Sequence, residues 1–266
     1  MRTEEKEKWR SESVYKLLMI VLPYLHSLYE FISVSRVSPA LRKAVRDQTM
    51  LWTKVVVEPP LSPRLTDVIL WEFTSKSAGK LNTLILRKCR RVTNIGLRRV
   101  VDANPMIKKN DFSFFLSQLI VPGCTGLVPE GIIACGESLA KNNHKFETLH
   151  INGVPGFTKD HLSALLTYLP QEGAIDLEVC PKCDQVRMIP PCSRESCGRN
   201  ERECRECWYC VPRCMECAVC LGPDTDQIEE AACGGRRCVS SLLPSASKVQ
   251  VLQQTILHRS QQPEAR

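Results

Sequence analysis

Cysteines are the residues of this chain whose type and spacing could do chemistry. Twelve of the fifteen fall within residues 180–238, mostly in pairs separated by two residues. Two thiolates at that spacing can bind one ion from a tight turn, and a second pair completes a tetrahedron of four sulfur ligands. The pattern therefore predicts that the segment binds Zn2+, with up to three ions. The twelve candidate ligands are Cys180, Cys183, Cys192, Cys197, Cys204, Cys207, Cys210, Cys214, Cys217, Cys220, Cys233 and Cys238.

Residues 180–238 contain no histidine, so any metal site formed within them is all-cysteine. This disfavours a standard RING domain, which normally needs a histidine ligand. It also disfavours a catalytic zinc, which keeps one coordination position open and usually has a histidine or carboxylate ligand. Apolar side chains other than cysteine are sparse in the segment, so it cannot bury enough carbon to fold alone. A zinc ion would supply on the order of 10 kcal/mol per site.

Disulfides and a redox-active pair are the alternatives to metal. The first residues, MRTEEKEKWR, are charged and do not resemble a signal peptide, and the apolar run at residues 17–22 is too short to span a bilayer. We therefore expect a reducing compartment, the cytoplasm and/or the nucleus, and no membrane partner, which favours zinc over cystines. Spacing does not reveal which cysteines share an ion, because Cys207 and Cys217 each belong to two possible pairs.

The charge distribution bears on possible partners. The whole chain has a formal net charge of +7, but nine Lys and Arg and ten Asp and Glu give residues 180–238 a balance of −1. Twelve thiolates holding three zinc ions would bring that segment to about −7. A module of that sign would repel phosphate, so nucleic acid is an unlikely partner.

The middle of the chain repeats itself. Each copy has alternating apolar residues, typical of a half-buried strand, followed by a turn. In two of the copies a threonine N-cap and apolar residues at helical spacing come next. A strand, a turn and a helix per copy is the leucine-rich-repeat unit, whose face is buried by stacking on its neighbours. The copies are LNTLILRKC (81–89), LIVPGC (119–124), ETLHINGV (147–154) and AIDLEVC (174–180), and Leu84, Leu119, Leu149 and Ile175 are equivalent positions.

The intervals between copies are unequal. Leu86 to Val121 spans 35 residues, whereas Ile151 to Leu177 spans 26. The difference corresponds to the nine residues NDFSFFLSQ (110–118), which we predict bulge from the array or distort it.

Three cysteines outside the cluster are predicted to be core residues. Cys89 and Cys124 occupy the inward turn position of a repeat, and Cys135 lies in a helical pattern. Cys180 fits two roles, since it is both the turn cysteine of a repeat and the first thiol of CPKC. We assign it to the zinc site because Cys183 follows at ligand spacing.

Residues 13–53 carry apolar side chains at helical spacing and are predicted to form three short helices. A small helical bundle follows, and one interpretation is that it merely caps the first edge of the repeat array.

The string LPYLHSLYEFISVSRVSPALRKAVRDQTMLW (22–52) resembles an F-box. The order of an F-box, repeats with turn cysteines and a C-terminal cysteine-rich region is similar to a plant group of F-box proteins described as Skp-interacting partners. The resemblance implies binding to the Skp-type linker subunit of a cullin-based ubiquitin ligase, while the repeats hold a substrate. By resemblance the linker-facing residues are Leu22, Pro23, Leu25, Leu28, Phe31, Val34 and Trp52.

The predicted fold class is α/β, with a small N-terminal helical F-box, a short leucine-rich-repeat solenoid and an irregular zinc-stabilised cysteine-rich module. The predicted boundaries are 1–12 for a charged N-terminal segment, 13–55 for the F-box, 56–179 for the array, 180–238 for the zinc module and 239–266 for a disordered tail. We expect a non-enzymatic adaptor that recruits an unknown protein substrate for ubiquitination and proteasomal degradation. A stand-alone zinc-module ubiquitin ligase and a zinc-dependent nucleic-acid-binding protein are the alternatives.

Overall fold

The computed structural model describes residues 20–104, 107–109, 112–114, 116–142, 145–169, 174–190 and 205–211, with the backbone alone for 107–109 and 112–114. The chain divides into two compact units, residues 1–179 and residues 180–266. The predicted N-terminal segment (1–12), the start of the predicted first helix and the predicted disordered tail (239–266) lie outside the described residues.

Short helices open the first unit. A 3-10 turn at Leu22–Tyr24 is followed by helix α1 (Leu28–Val37), helix α2 (Pro39–Asp47) and a second 3-10 turn at Thr49–Thr53. Ser27 begins α1 with a capping box, since its side chain accepts from the backbone N–H of Glu30 while the Glu30 carboxylate accepts from that of Ser27. Ser38, between the two helices, caps α2 by accepting from the Leu41 backbone N–H at 3.2 Å, and it precedes a proline at the first helical position. Local capping thus fixes where both helices begin.

Trp52 forms the centre of this helical region. Its ring centroid lies 5.5 Å from that of Phe31 and 5.9 Å from that of Phe73, and its Nε1 donates to the Val45 carbonyl at 3.0 Å. The side chain is 2% exposed. The indole therefore belongs to the core, with its one polar atom satisfied.

A parallel four-stranded sheet forms the scaffold of the first unit. Its strands lie in the order β1 (Lys54–Val57), β2 (Thr83–Leu86), β5 (Gln118–Ile120) and β6 (Thr148–His150). Leu84 pairs with Leu119, Leu119 pairs with Leu149, and an isolated bridge continues the row from Leu149 to Ile175. The register predicted from the equivalent positions of the four copies is thereby confirmed, and the three leucines are fully buried.

A helix follows each strand of this sheet. The helices are α3 (Asp67–Thr74), α4 (Asn94–Asp102), α5 (Pro129–Ala140) and α6 (Lys159–Leu166). The fourth residue of each is buried, and these residues are Leu70, Leu97, Ile132 and Leu162. The architecture is thus a mixed α/β one, as predicted. Two further short strands are β7 (Glu178–Val179) in the first unit and β8 (Val186–Arg187) in the second. Within the described ranges, no helix combines the length and the apolar character that crossing a bilayer requires.

Strand β1 extends the array by one unit that the repeat pattern missed. Val55 pairs with Leu84 and Val57 with Leu86, and both valines are buried. The predicted boundary between residues 55 and 56 therefore falls inside a strand. The sequence KVVV hides this unit because it carries neither the leucine spacing nor the turn cysteine of the other copies.

Two short strands lie beside and within the predicted insertion. Strands β3 (Ile107–Lys109) and β4 (Phe112–Phe114) pair antiparallel in a separate two-stranded sheet. Leu116 and Ser117 are buried, and Gln118 pairs with Thr83 in the main sheet. Residues 116–118 of the predicted insertion therefore pack and pair with the main sheet, and the bulge itself stays a prediction.

Side chains at the helix starts join one repeat to the next. The Asp67 carboxylate accepts from the Thr93 backbone N–H at 2.8 Å and from its hydroxyl at 2.6 Å. One unit further on, the side-chain oxygen of Asn94 accepts from the Val128 N–H at 3.1 Å. These bonds satisfy N–H groups at helix starts that have no partner within their own helix.

Glycine is required where these lateral side chains cross the next helix. A Cβ at Gly96 would overlap the Asp67 carboxylate, so we expect Gly96→Ala to break the bonds to Thr93 and to lower the free energy of unfolding by about 1–3 kcal/mol. Urea denaturation of the purified chain measures this.

Removing the obstructing carboxylate provides the control. In an Asp67→Ala background, Gly96→Ala should be neutral or stabilising by up to about 1 kcal/mol, because alanine is the better helix former. Equal destabilisation in both backgrounds would contradict the steric explanation.

Candidate functional site

Four cysteines of the second unit come together at one point. The Sγ atoms of Cys180, Cys183, Cys207 and Cys210 all lie within 4.8 Å of one another. Three of the separations are 3.9 Å for Cys180 to Cys210, 3.8 Å for Cys183 to Cys207 and 3.6 Å for Cys207 to Cys210. Two CxxC pairs that are distant in sequence thus present a single group of sulfurs.

The sulfur separations fit a tetrahedral metal site. Four sulfurs placed about 2.3 Å from a central zinc ion lie about 3.8 Å from one another. A disulfide would require about 2.05 Å, and all four thiols are free. An all-sulfur tetrahedral set suits zinc or another soft cation, and it leaves no position for a substrate. The arrangement can therefore hold a structural ion.

Backbone turns bring each pair of thiols together. In the first turn the Asp184 N–H donates to the Cys180 carbonyl at 2.8 Å, and the Cys180 N–H donates to the Gln185 carbonyl at 2.9 Å. In the second, Cys210 and Val211 both donate to the Cys207 carbonyl at 3.0 Å. Asp184 has a φ of 58°, the left-handed conformation that closes the first turn.

Hydrogen bonds to sulfur favour the charged form of Cys180. Burial alone would raise the pKa of this thiol, but backbone N–H groups donate to it and lower the pKa to about 6. The donors include the N–H of Cys207, 3.4 Å from the sulfur, and those of Cys183 and Lys182. Burial raises the pKa of Cys207 and, with the neighbouring thiols, that of Cys210. The cluster thus stabilises the Cys180 thiolate by itself, and a cation would favour the charged forms of Cys207 and Cys210.

Side chains around the cluster connect the two turns. The Lys182 ammonium lies 3.4 Å from a Glu206 carboxylate oxygen and donates to the Cys210 carbonyl at 3.5 Å. The Arg187 guanidinium lies over the Tyr209 ring, 4.2 Å from its centroid. These contacts orient the second turn against the first, as groups surrounding a metal site commonly do.

Four of the twelve predicted ligands form the cluster, and the other eight lie outside the described residues. The structure groups Cys207 with Cys210, one of its two possible CxxC partners. The eight are Cys192, Cys197, Cys204, Cys214, Cys217, Cys220, Cys233 and Cys238.

The three cysteines predicted to be core residues are fully buried in the first unit. Cys124 donates to the Leu86 carbonyl at 3.1 Å, and burial raises the pKa of Cys135 to about 12. Cys89, like these two, has no exposed surface. The prediction for these three is confirmed.

Four of the predicted partner-facing residues near the N-terminus are buried within the chain itself, and the partner contact stays a prediction. Leu22, Leu28, Phe31 and Trp52 are at most 6% exposed, because they pack into the first unit's own core. Leu25 and Val34 are half-buried, and the Pro23 side chain lies outside the described ones. The sequence pattern could not separate the faces, because apolar residues occupy both sides of these short helices. The exposed large apolar side chains here are Ile20, Val21, Tyr24, Tyr29 and Val37.

Comparison with known proteins identifies the family. The chain is 68% identical over 235 residues to F-box protein SKIP28 of Arabidopsis thaliana, an alignment that covers 88% of this chain and 76% of that protein. The chain belongs to the plant F-box proteins. This F-box protein is also 30% identical over 222 residues to Arabidopsis thaliana F-box protein SKIP14, covering 72% of this chain and 47% of the relative. Against F-box protein At3g27290 of the same plant the identity is 29%, covering 76% of this chain and 59% of the relative.

A family model covers the cysteine-rich region of this F-box protein. Residues 176–250 match the At3g27290 F-box protein C-terminal domain. The match contains the four clustered cysteines together with the eight other predicted ligands.

Proposed function

We propose that this F-box protein is the substrate-recognition adaptor of a Skp-cullin-F-box ubiquitin ligase. It would recruit a protein substrate for ubiquitination and proteasomal degradation in the cytoplasm and/or the nucleus. The observation that carries the proposal is the 68% identity to F-box protein SKIP28 over 88% of the chain. An adaptor does no chemistry of its own: it holds the substrate beside the transferring enzyme, so that transfer becomes effectively intramolecular.

In this proposal the strand and helix units act as a leucine-rich-repeat solenoid. The row of Leu84, Leu119 and Leu149, continued by Ile175, supports that assignment, because equivalent residues of successive units lie side by side. Helices α3 to α6 contact one another in chain order, which also suits a solenoid.

We also propose that the four-cysteine cluster holds one Zn2+ ion. Its sulfur separations of 3.6, 3.8 and 3.9 Å support this, and cysteines outside the described residues would hold up to two more ions. Zinc here would fix the fold of a segment that has few apolar side chains, with no role in catalysis.

The Skp-type linker, and through it the cullin, would bind near the N-terminus. The exposed side chains there include Tyr24 at 72%, Val21 at 53% and Val37 at 75%. Half-buried Leu25 and Val34, both predicted linker contacts, lie in the same stretch of chain. An apolar surface of this kind suits a partner helix laid across it.

Tyr24→Asp combined with Leu25→Asp is expected to weaken binding of a purified Skp-type linker by about thirtyfold or more, because two carboxylates would be desolvated in the interface. Isothermal titration with the full chain measures the affinity. Leu166→Asp is the matched control, since Leu166 is an apolar residue of α6 with 45% exposure, and it should leave the affinity unchanged.

Binding of the linker and the cullin by the wild-type chain tests the adaptor proposal itself. If the chain binds neither linker nor cullin, the adaptor proposal fails. Ubiquitin transfer by the chain with a charged ubiquitin carrier, and with no cullin present, would instead favour a stand-alone ligase.

A further inference from the structure

Two apolar side chains stand almost fully exposed at equivalent positions of neighbouring repeats. Val68 is the second residue of α3 and is 75% exposed, and Ile95 is the second residue of α4 and is 81% exposed. Val128, the N-cap of α5, is 41% exposed. Single exposed apolar residues are ordinary, but a repeated position marks a surface.

The lateral hydrogen bonds join the three helix starts that carry these side chains. Asp67, adjacent to Val68, bonds to Thr93 at the start of the next helix. Asn94, adjacent to Ile95, bonds to the N–H of Val128 itself. The row of Val68, Ile95 and Val128 therefore runs across three consecutive helix starts that are joined to one another.

Basic side chains occupy the turn that leads into the middle of this row. Arg87, Lys88, Arg90 and Arg91 follow strand β2, and all four are exposed. The acidic side chains that follow β1 or lie in the first turns of these helices are fewer than the basic ones, namely Glu58, Asp67 and Glu130, and Glu130 lies 3.4 Å from His161. Glu58 lies 3.9 Å from Arg87, and both oxygens of Asp67 accept from Thr93. The excess charge beside Ile95 is therefore positive.

Neither feature is explained by the fold. Val68 and Ile95 are β-branched residues in a first helical turn, where they bury little surface and add no helix propensity. Adjacent like charges such as Arg90 and Arg91 repel each other. Both features are complementary to a ligand that carries apolar groups and negative charge together.

We infer that Val68, Ile95, Val128, Arg90 and Arg91, here named the basic-apolar rim, dock an acidic segment of the substrate protein in which aliphatic or aromatic residues alternate with Asp or Glu. The inference rests on the proposed adaptor function and gives it a substrate class. Apolar side chains would cover the row, and carboxylates would face the two arginines. A second copy of this chain is the poorer occupant, because it would bring the same positive charge to the contact.

The test selects ligands for the full-length chain from a displayed library of random peptides about 16 residues long. The selected peptides should carry a clear acidic excess with interspersed aliphatic or aromatic residues. Fluorescence anisotropy then measures the affinity of the best peptide for two variants, Val68→Ser with Ile95→Ser and Arg90→Glu with Arg91→Glu. Each should bind about tenfold or more weakly than the wild type, and the wild-type affinity should fall in high salt.

Two controls separate the surface from general charge and from the linker site. Lys141→Glu with Lys145→Glu makes the same charge change at exposed positions elsewhere in the first unit and should leave peptide affinity unchanged. Both rim variants should bind the Skp-type linker as well as the wild type does. Loss of the linker would place the rim in that interface and overturn the inference, while the adaptor proposal would stand.

Other outcomes also overturn the inference. The inference fails if no peptide is enriched, if the enriched peptides carry no acidic excess, or if they bind both rim variants at wild-type affinity. Tighter binding of duplex DNA, lost in the Arg90 and Arg91 variant, would make the rim a nucleic-acid surface. Concentration-dependent dimerisation lost in the Val68 and Ile95 variant would make it a self-association surface.

Discussion

Replacing Cys207 with serine is expected to remove one equivalent of zinc from the chain and to unfold the region around the four-cysteine cluster. Cys207 is fully buried, and its sulfur lies 3.8 Å from that of Cys183 and 3.6 Å from that of Cys210. A serine hydroxyl is a poor ligand beside three thiolates, and one bound zinc stabilises a small domain by on the order of 10 kcal/mol. Elemental analysis of reduced protein measures the metal, and limited proteolysis measures the unfolding.

Cys135→Ser separates loss of metal from loss of packing. Cys135 is buried in α5 of the first unit, so a hydroxyl there should cost about 1–3 kcal/mol of stability and leave the zinc content unchanged. If reduced, folded wild-type protein contains no zinc, or if the Cys207 variant keeps every equivalent, the proposed site is wrong. Chelation of the wild type should reproduce the proteolytic pattern of the Cys207 variant.

Trp52→Ala is expected to destabilise the first unit by about 3–5 kcal/mol. The substitution removes the ring contacts with Phe31 and Phe73 and leaves the Val45 carbonyl without its indole donor. It also removes the ring over which the Lys76 side chain lies, with the Lys76 ammonium 4.7 Å from the indole centroid. Urea denaturation followed by circular dichroism measures the change.

Trp52→Phe is the companion variant, since it keeps most of the ring packing and loses the hydrogen bond. We expect it to cost about 1–3 kcal/mol. The interpretation of Trp52 as a linker contact makes the opposite prediction, namely weaker linker binding with unchanged stability. That result would show that the indole reaches the partner.

The repeat register could be predicted from the sequence because alternation and spacing both depend on burial. Leu84, Leu119 and Leu149 occupy the same place in the alternating pattern of each copy, and they pair on the buried face of the sheet. The unit that begins at Lys54 was missed because valines give no distinctive spacing. The C-terminal end of the insertion is hard to predict because Leu116 matches Leu81, three residues before the paired leucine, and both are fully buried.

The sequence predicts the ligand chemistry of the candidate metal site, but it only partly predicts which cysteines share one site. Spacing gives each CxxC turn, but it does not show that Cys180 and Cys207, 27 residues apart in sequence, share one cluster. That depends on the tertiary fold, as does the burial of Phe31 and Trp52. An F-box resemblance assigns such residues to a partner, whereas their solvent exposure depends on how the chain packs on itself.

The separate β3–β4 hairpin makes the connection into β5 a permissive place for grafted sequence. Thr83 and Gln118 pair in the main sheet, whereas β3 and β4 pair in a separate sheet, so we expect residues added between β3 and β4 to leave the main sheet intact. Lengthening a surface loop costs little chain entropy, only about 0.6 kcal/mol for each doubling. A fluorescent reporter or an epitope placed between Lys109 and Phe112 would therefore label the protein in living tissue without occupying either chain terminus.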